Sequence, residues 1–105
     1  MIRMVVLIKV KADAPDGGAE RLVEGVSKLP AQIPSIRGWE VGLGLDPAGT
    51  MVGVVGLFDD MESFARYKAD PAHLRCAQTY IAPVMESATQ IQFEVAGPAV
   101  MEEEK

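Results

Sequence analysis

The stretch Tyr67-Lys68-Ala69-Asp70-Pro71-Ala72-His73 holds the residues best suited to chemistry. His73 is the single histidine of the chain, and imidazole is the only side chain whose unperturbed charge changes near neutral pH. Asp70 is a favoured helix N-cap and Pro71 a favoured first helical residue, so His73 falls in the first turn of a helix. The unpaired amides and the positive dipole end found there disfavour an imidazolium. A ring kept neutral accepts a proton, as a general base must. Tyr67 falls in the last turn of the preceding helix, with Phe64 one turn earlier. Its hydroxyl could polarise a carbonyl beside His73. Both residues also have plain structural uses: a hydrogen-bonded histidine at a helix junction, and a tyrosine packed along its ring with a wet tip.

Little else in the chain competes for a chemical role. Asp59-Asp60 is a pair of neighbouring carboxylates, but its place before a helix makes it a cap. Cys76 and the six methionines read as core or gap-filling residues. No glycine-rich phosphate loop, GxSxG elbow or P-loop occurs. One His and one Cys cannot make a Cys/His zinc site within one chain, so no metal site is expected.

The elements that must position Tyr67 and His73 follow from hydrophobic spacing. Residues 2–11 predict a strand rich in β-branched residues. Ile2, Met4, Val6 and Ile8 lie on one face, Val5 and Leu7 on the other. A strand apolar on both faces is covered on both. Helices can cover one; the other calls for a second sheet, most simply from a second copy of the chain. Asp13 to Gly18 is a turn, and residues 19–29 predict a helix with Leu22, Val23, Val26 and Leu29 in one stripe. Pro30 and Pro34 end it. Residues 36–46 and 50–58 predict a hairpin around Asp46-Pro47-Ala48-Gly49. Trp39, Val41, Leu43 and Leu45 share one face of its first strand, and Gly38, Gly42 and Gly44 the other. Such glycines suggest close approach of a backbone or bulky group.

Asp59 with Glu62 has the spacing of a capping box, and the helix behind it runs to about Lys68. The next helix, from Pro71 to about Ala82, places His73, Ala77, Tyr80 and Val84 on one face. Residues 87–96 predict the last strand, and 98–105 a mobile acidic tail. The order β-α-β-β-α-α-β is that of the α+β ferredoxin-like fold: a four-stranded antiparallel sheet with helices on one face.

The 105 residues suffice for one domain. Ten Lys and Arg stand against 15 Asp and Glu, and the basic residues are scattered singly. Neither nucleic acid nor an anionic membrane is an expected partner. The lone Cys and the absence of a cleavage-site pattern after the first apolar stretch predict a cytoplasmic protein.

Three stretches, Met1 to Lys9, Leu29 to Ile36 and Asp70-Pro71-Ala72-His73, together resemble the stress-responsive A/B barrel (Dabb) domain family of the dimeric α+β barrel superfamily. The likeness spans residues 2–96 and frames a domain over residues 1–97. It implies a homodimer whose two sheets pack face to face into a barrel. The family includes plant stress proteins and a plant polyketide cyclase that works without a cofactor. That cyclase has a Tyr and a His six residues apart in its pocket, as Tyr67 and His73 are here. It also uses a first-strand His, where this chain has Met4. The resemblance therefore implies a pocket with one base, His73, one donor, Tyr67, and a wall of Met4, Val6, Ile8, Phe64 and Tyr80.

Three readings follow. One is a dimer binding a small, mostly apolar carbonyl compound, with cofactor-free cyclase, isomerase or lyase chemistry at His73. Another is a non-catalytic stress-response or ligand-binding dimer. The third is a cofactor-free monooxygenase of a related barrel family.

Overall fold

The computed structural model describes residues 1–96; the expected acidic tail lies outside them. Strand β1 (Ile2–Val10) is followed by helix α1 (Gly18–Ser27), a 3-10 turn at Leu29–Ala31, and the hairpin of β2 (Ile36–Leu43) and β3 (Met51–Phe58). Helices α2 (Met61–Ala69) and α3 (Pro71–Cys76), a π-helical turn (Ala77–Ile81) and β4 (Met85–Glu94) complete the chain. The sheet order is β2-β3-β1-β4, with every pair antiparallel. This is the expected ferredoxin-like arrangement.

The two-sided apolar β1 sits in the middle of the sheet, where both its edges are paired. Cross-strand partners share a face. Met4 stands opposite Gly56, Val6 opposite Val54 and Ile8 opposite Val52, so these residues form the floor beneath the helices. Leu22, Val26, Leu29 and Ile33 bury against that floor. The other face carries Val5 and Leu7 on β1, Val55 on β3, and Ile91 and Phe93 on β4. Among the described residues no element covers it, and Leu7, Ile91 and Phe93 are 48%, 57% and 42% exposed. Gly42 and Gly53 pair across the hairpin on this face, and a methyl group at either would touch nothing.

Several element ends differ from the sequence expectation. The first hairpin strand stops at Leu43, and Leu45 is fully exposed beyond it rather than on the inner face. Asp46 holds the turn instead: its carbonyl accepts from Gly49 N–H at 3.0 Å and its carboxylate from Thr50 N–H at 3.3 Å. Gly49 has φ +63°, a conformation that glycine adopts without steric cost. β4 starts at Met85 and ends at Glu94, earlier at both ends than expected.

The expected cap of α2 is also corrected. Asp60, not Asp59, is the N-cap, and its carboxylate accepts from Ser63 N–H at 2.8 Å. Asp59 turns the other way, to a two-pronged ion pair with Arg37 of β2 at 3.1–3.2 Å. The carboxylate that a guanidinium can reach is drawn out of the capping role, and its neighbour takes that role.

Candidate functional site

The junction of α2 and α3 is built as the sequence suggests. Asp70 ends α2 in an extended conformation and caps α3, accepting from Ala72 N–H at 2.8 Å. Pro71 is the first helical residue. The chain therefore turns sharply, and His73 swings back against the last turn of α2. Its Nδ1 lies 3.2 Å from the Lys68 carbonyl oxygen. That oxygen can only accept, so Nδ1 carries the proton and Nε2 keeps the free lone pair.

Tyr67 lies directly beside it, with ring centroids 4.5 Å apart. The Tyr67 ring is fixed by three more aromatic neighbours: Phe58 at 5.0 Å, Trp39 at 5.7 Å and Phe64 at 5.9 Å. Trp39 is held in turn by its indole N–H, which donates to the Val26 carbonyl at 3.0 Å, in the last turn of α1. Carbonyls there have no partner within the helix. A side chain at Gly56 would strike the Trp39 ring, so the bare backbone of β3 is what lets the indole lie flat.

Tyr67 and His73 close one end of a cavity of about 290 Å³ between sheet and helices. Met4, Val6, Ile8 and Val54 form its floor, and Val26 and Leu29 one wall. Cys76, Ala77 and Ile81 form the other wall, and Met85, Ala88 and Gln90 bring in β4. Of the residues expected around a ligand, Tyr67, His73, Met4, Val6 and Ile8 line this cavity, whereas Phe64 and Tyr80 do not. Phe64 stands behind the site, packed on Phe58 and Tyr67. Tyr80 faces the opposite side and lies on Gly25 of α1, where a side-chain carbon would clash with its ring.

The π turn explains Tyr80. Ala82 N–H bonds to the Ala77 carbonyl, a five-residue step in place of four. Each residue of such a turn advances less around the axis. Tyr80 lags behind the face expected for it, and Ile81 arrives beside His73 and Ala77 instead. On β4 the polar residues turn toward the helix side: Gln90 pairs with Val6 and Gln92 with Met4. Alternation along a strand does not say which face points in; its pairing does.

Electrostatics set the protonation states. Burial holds the His73 imidazole below its ordinary pKa, and the nearby Lys68 charge lowers it further. The Lys68 carbonyl and Asp70 pull upward without prevailing. Burial pushes the Tyr67 phenol well above its usual value, so it stays protonated and can donate. Burial likewise raises the Cys76 thiol. Among the described residues, no helix is long and apolar enough to cross a membrane.

A ferredoxin-like sheet with an open outer face and an aromatic-capped cavity defines a barrel-forming α+β domain. The chain belongs to the stress responsive A/B barrel domain family, whose model matches residues 2–95. Among solved structures, a dimeric protein with a ferredoxin-like fold from Bacteroides fragilis is 27% identical, over 90% of this chain and 95% of that one, at a TM-score of 0.79. A dimeric ferredoxin-like protein from Thermobifida fusca is also 27% identical, over 90% of each chain, at 0.78. The hydroxynitrile lyase of Passiflora edulis shares the fold at 17% identity, over 95% and 96% of the two chains, at 0.76. No curated protein matches the chain significantly.

Proposed function

We propose that this protein is a homodimer that binds a small carbonyl compound in the cavity beneath its helices and takes a proton from the carbon next to the carbonyl. The observation that carries this reading is the fixed pairing of Tyr67 and His73 at the cavity's end, 4.5 Å between rings, with Nδ1 of His73 tied to Lys68. Nε2 would take the proton as the C–H bond breaks. The electron pair passes to the carbonyl oxygen, which the Tyr67 hydroxyl hydrogen-bonds as an enolate. The imidazolium then returns the proton to carbon, or the enolate goes on to cyclise, isomerise or expel a leaving group. The floor of Met4, Val6 and Ile8 receives the apolar part of the ligand.

The dimer would form through the open sheet face. Leu7, Ile91 and Phe93 are too exposed to be left in water by a stable monomer, and both 27% identical structures are dimeric.

Met4 favours a second reading, in which the cavity binds without reacting. It is 1% exposed and sits on the floor of the cavity. Its thioether supplies no proton, which leaves His73 as the one group there able to shuttle one.

Deuterium uptake separates the readings. Methyl hexyl ketone and α-ketooctanoate, incubated in heavy water, should exchange the hydrogens next to the carbonyl faster with the wild type than in buffer. The gain should vanish in His73→Gln. Exchange at the buffer rate with both compounds would favour the binding-only reading.

A further inference from the structure

We propose that the ligand of this cavity is an anion, a carboxylate carried next to the carbonyl, and that Lys68 and Gln90 are the residues that recognise it. This rests on the reading of the cavity as a carbonyl site and names its substrate class.

The case begins with what the cavity offers. Its polar lining consists of Tyr67, Lys68, His73 and Gln90, besides the Cys76 thiol; no Asp or Glu lines it. That is a notable omission in a chain with 15 acidic residues and a net charge of −5. Lys68 brings a cation to the same end as the imidazole. Among the described residues, Arg3, Lys11, Arg21, Lys28, Lys68 and Arg75 pair with no carboxylate, and of these only Lys68 lines the cavity. Gln90 is set as a donor too. Gln92 donates from its Nε2 to the Gln90 Oε1 at 3.0 Å, which occupies the oxygen and leaves the Gln90 NH2 to give. Tyr67, held protonated by burial, adds a hydroxyl donor.

The lining thus presents an ammonium, an amide and a phenol as donors, against one lone pair at His73 Nε2. A neutral ketone has one oxygen to offer them. An α-keto carboxylate has three, and its charge matches Lys68; hydrogen bonds to a charged acceptor are about twice as strong as neutral ones. Lys68 also ties the two functions together. Its backbone carbonyl fixes the ring of the base, and its side chain would hold the carboxylate, which lies across the carbonyl from the carbon to be deprotonated. The floor of Met4, Val6 and Val54 then takes an alkyl tail.

Two probes test this: α-ketooctanoate and methyl hexyl ketone, which share the hexyl tail and carbonyl and differ in carrying a carboxylate or a methyl group on it. Binding is followed through the ring-proton signals of the single imidazole in the wild type, Lys68→Met and Lys68→Arg. The keto acid should bind on the order of tenfold tighter than the ketone, the scale of one added charged hydrogen bond. That preference should collapse in Lys68→Met, persist in Lys68→Arg and weaken with added salt. Equal affinity for both probes in the wild type would overturn the anion proposal while leaving the base reading intact. A preference untouched by Lys68→Met would overturn the role of Lys68. Failure of both compounds to move the imidazole signals would overturn both the proposal and the reading beneath it.

Discussion

Nδ1 of His73 lies 3.2 Å from the Lys68 carbonyl, so the imidazole of α3 is fastened to the end of α2. The two helices meet at Asp70, which ends one and caps the other. The ring's tautomer, its tilt against Tyr67 and its depressed basicity all descend from that turn.

The His73 imidazole should titrate below 6.5, because burial outweighs the upward pull of the Lys68 carbonyl and Asp70. A base with a folded pKa below its unfolded one adds stability above the unfolded value and loses it as pH falls through the folded value. The melting-temperature difference between wild type and His73→Gln should therefore favour the wild type more at pH ~7.5 than at pH ~5, either side of the reference value. A ring titration above 6.5 by NMR contradicts this account.

Replacing Lys68 by Met should raise the His73 pKa, since the Lys68 charge is one of the two influences that lower it. The backbone carbonyl remains, so the tautomer should not change. An unmoved or lowered titration would show that the ammonium lies too far from the ring to act on it.

Gly25→Ala should destabilise the fold by about 1–3 kcal/mol, the usual cost of overpacking. The new methyl group would press on the Tyr80 ring. Most of that loss should be recovered in the double variant with Tyr80→Ala, relative to Tyr80→Ala alone. Urea denaturation of the four proteins measures the coupling, and additive losses would mean that the contact is not the cause.

Sedimentation should give about 23 kDa, twice the 11.3 kDa chain, for a closed two-fold dimer. Phe93→Glu, a charge placed in the open apolar face, should shift the protein toward the monomer. A wild-type monomer, or a dimer indifferent to Phe93→Glu, would remove the outer face from the interface.

Local chemistry carried most of the architecture into the sequence. The β-branched run of β1, the Asp46-Pro47-Ala48-Gly49 turn and the Asp70-Pro71 restart each act within a few residues, and each forms as expected. The neighbouring placement of Tyr67 and His73 was legible for the same reason. What escaped is nonlocal. Asp59 loses its cap to a guanidinium 22 residues away, and β4 turns its glutamines inward because of how it pairs with β1. Tyr80 leaves the site because the last helical turn widens, and a periodicity of 3.6 residues has no way to register that.

The turn at Ala77–Ile81 has a consequence for how the protein could be re-engineered. A π turn holds one more residue than the α-helical turn that would span the same rise. Deleting Gln78, which is exposed, would let the segment close as ordinary helix while Val84 and β4 keep their places. Ile81 would then fall seven residues after His73, on the same helical face, and keep its place in the cavity wall, while the tyrosine stays on Gly25. A single-codon excision would thus remove the bulge and leave the pocket's chemistry as it is, so the extra residue can be trimmed from the helix without redrawing the site.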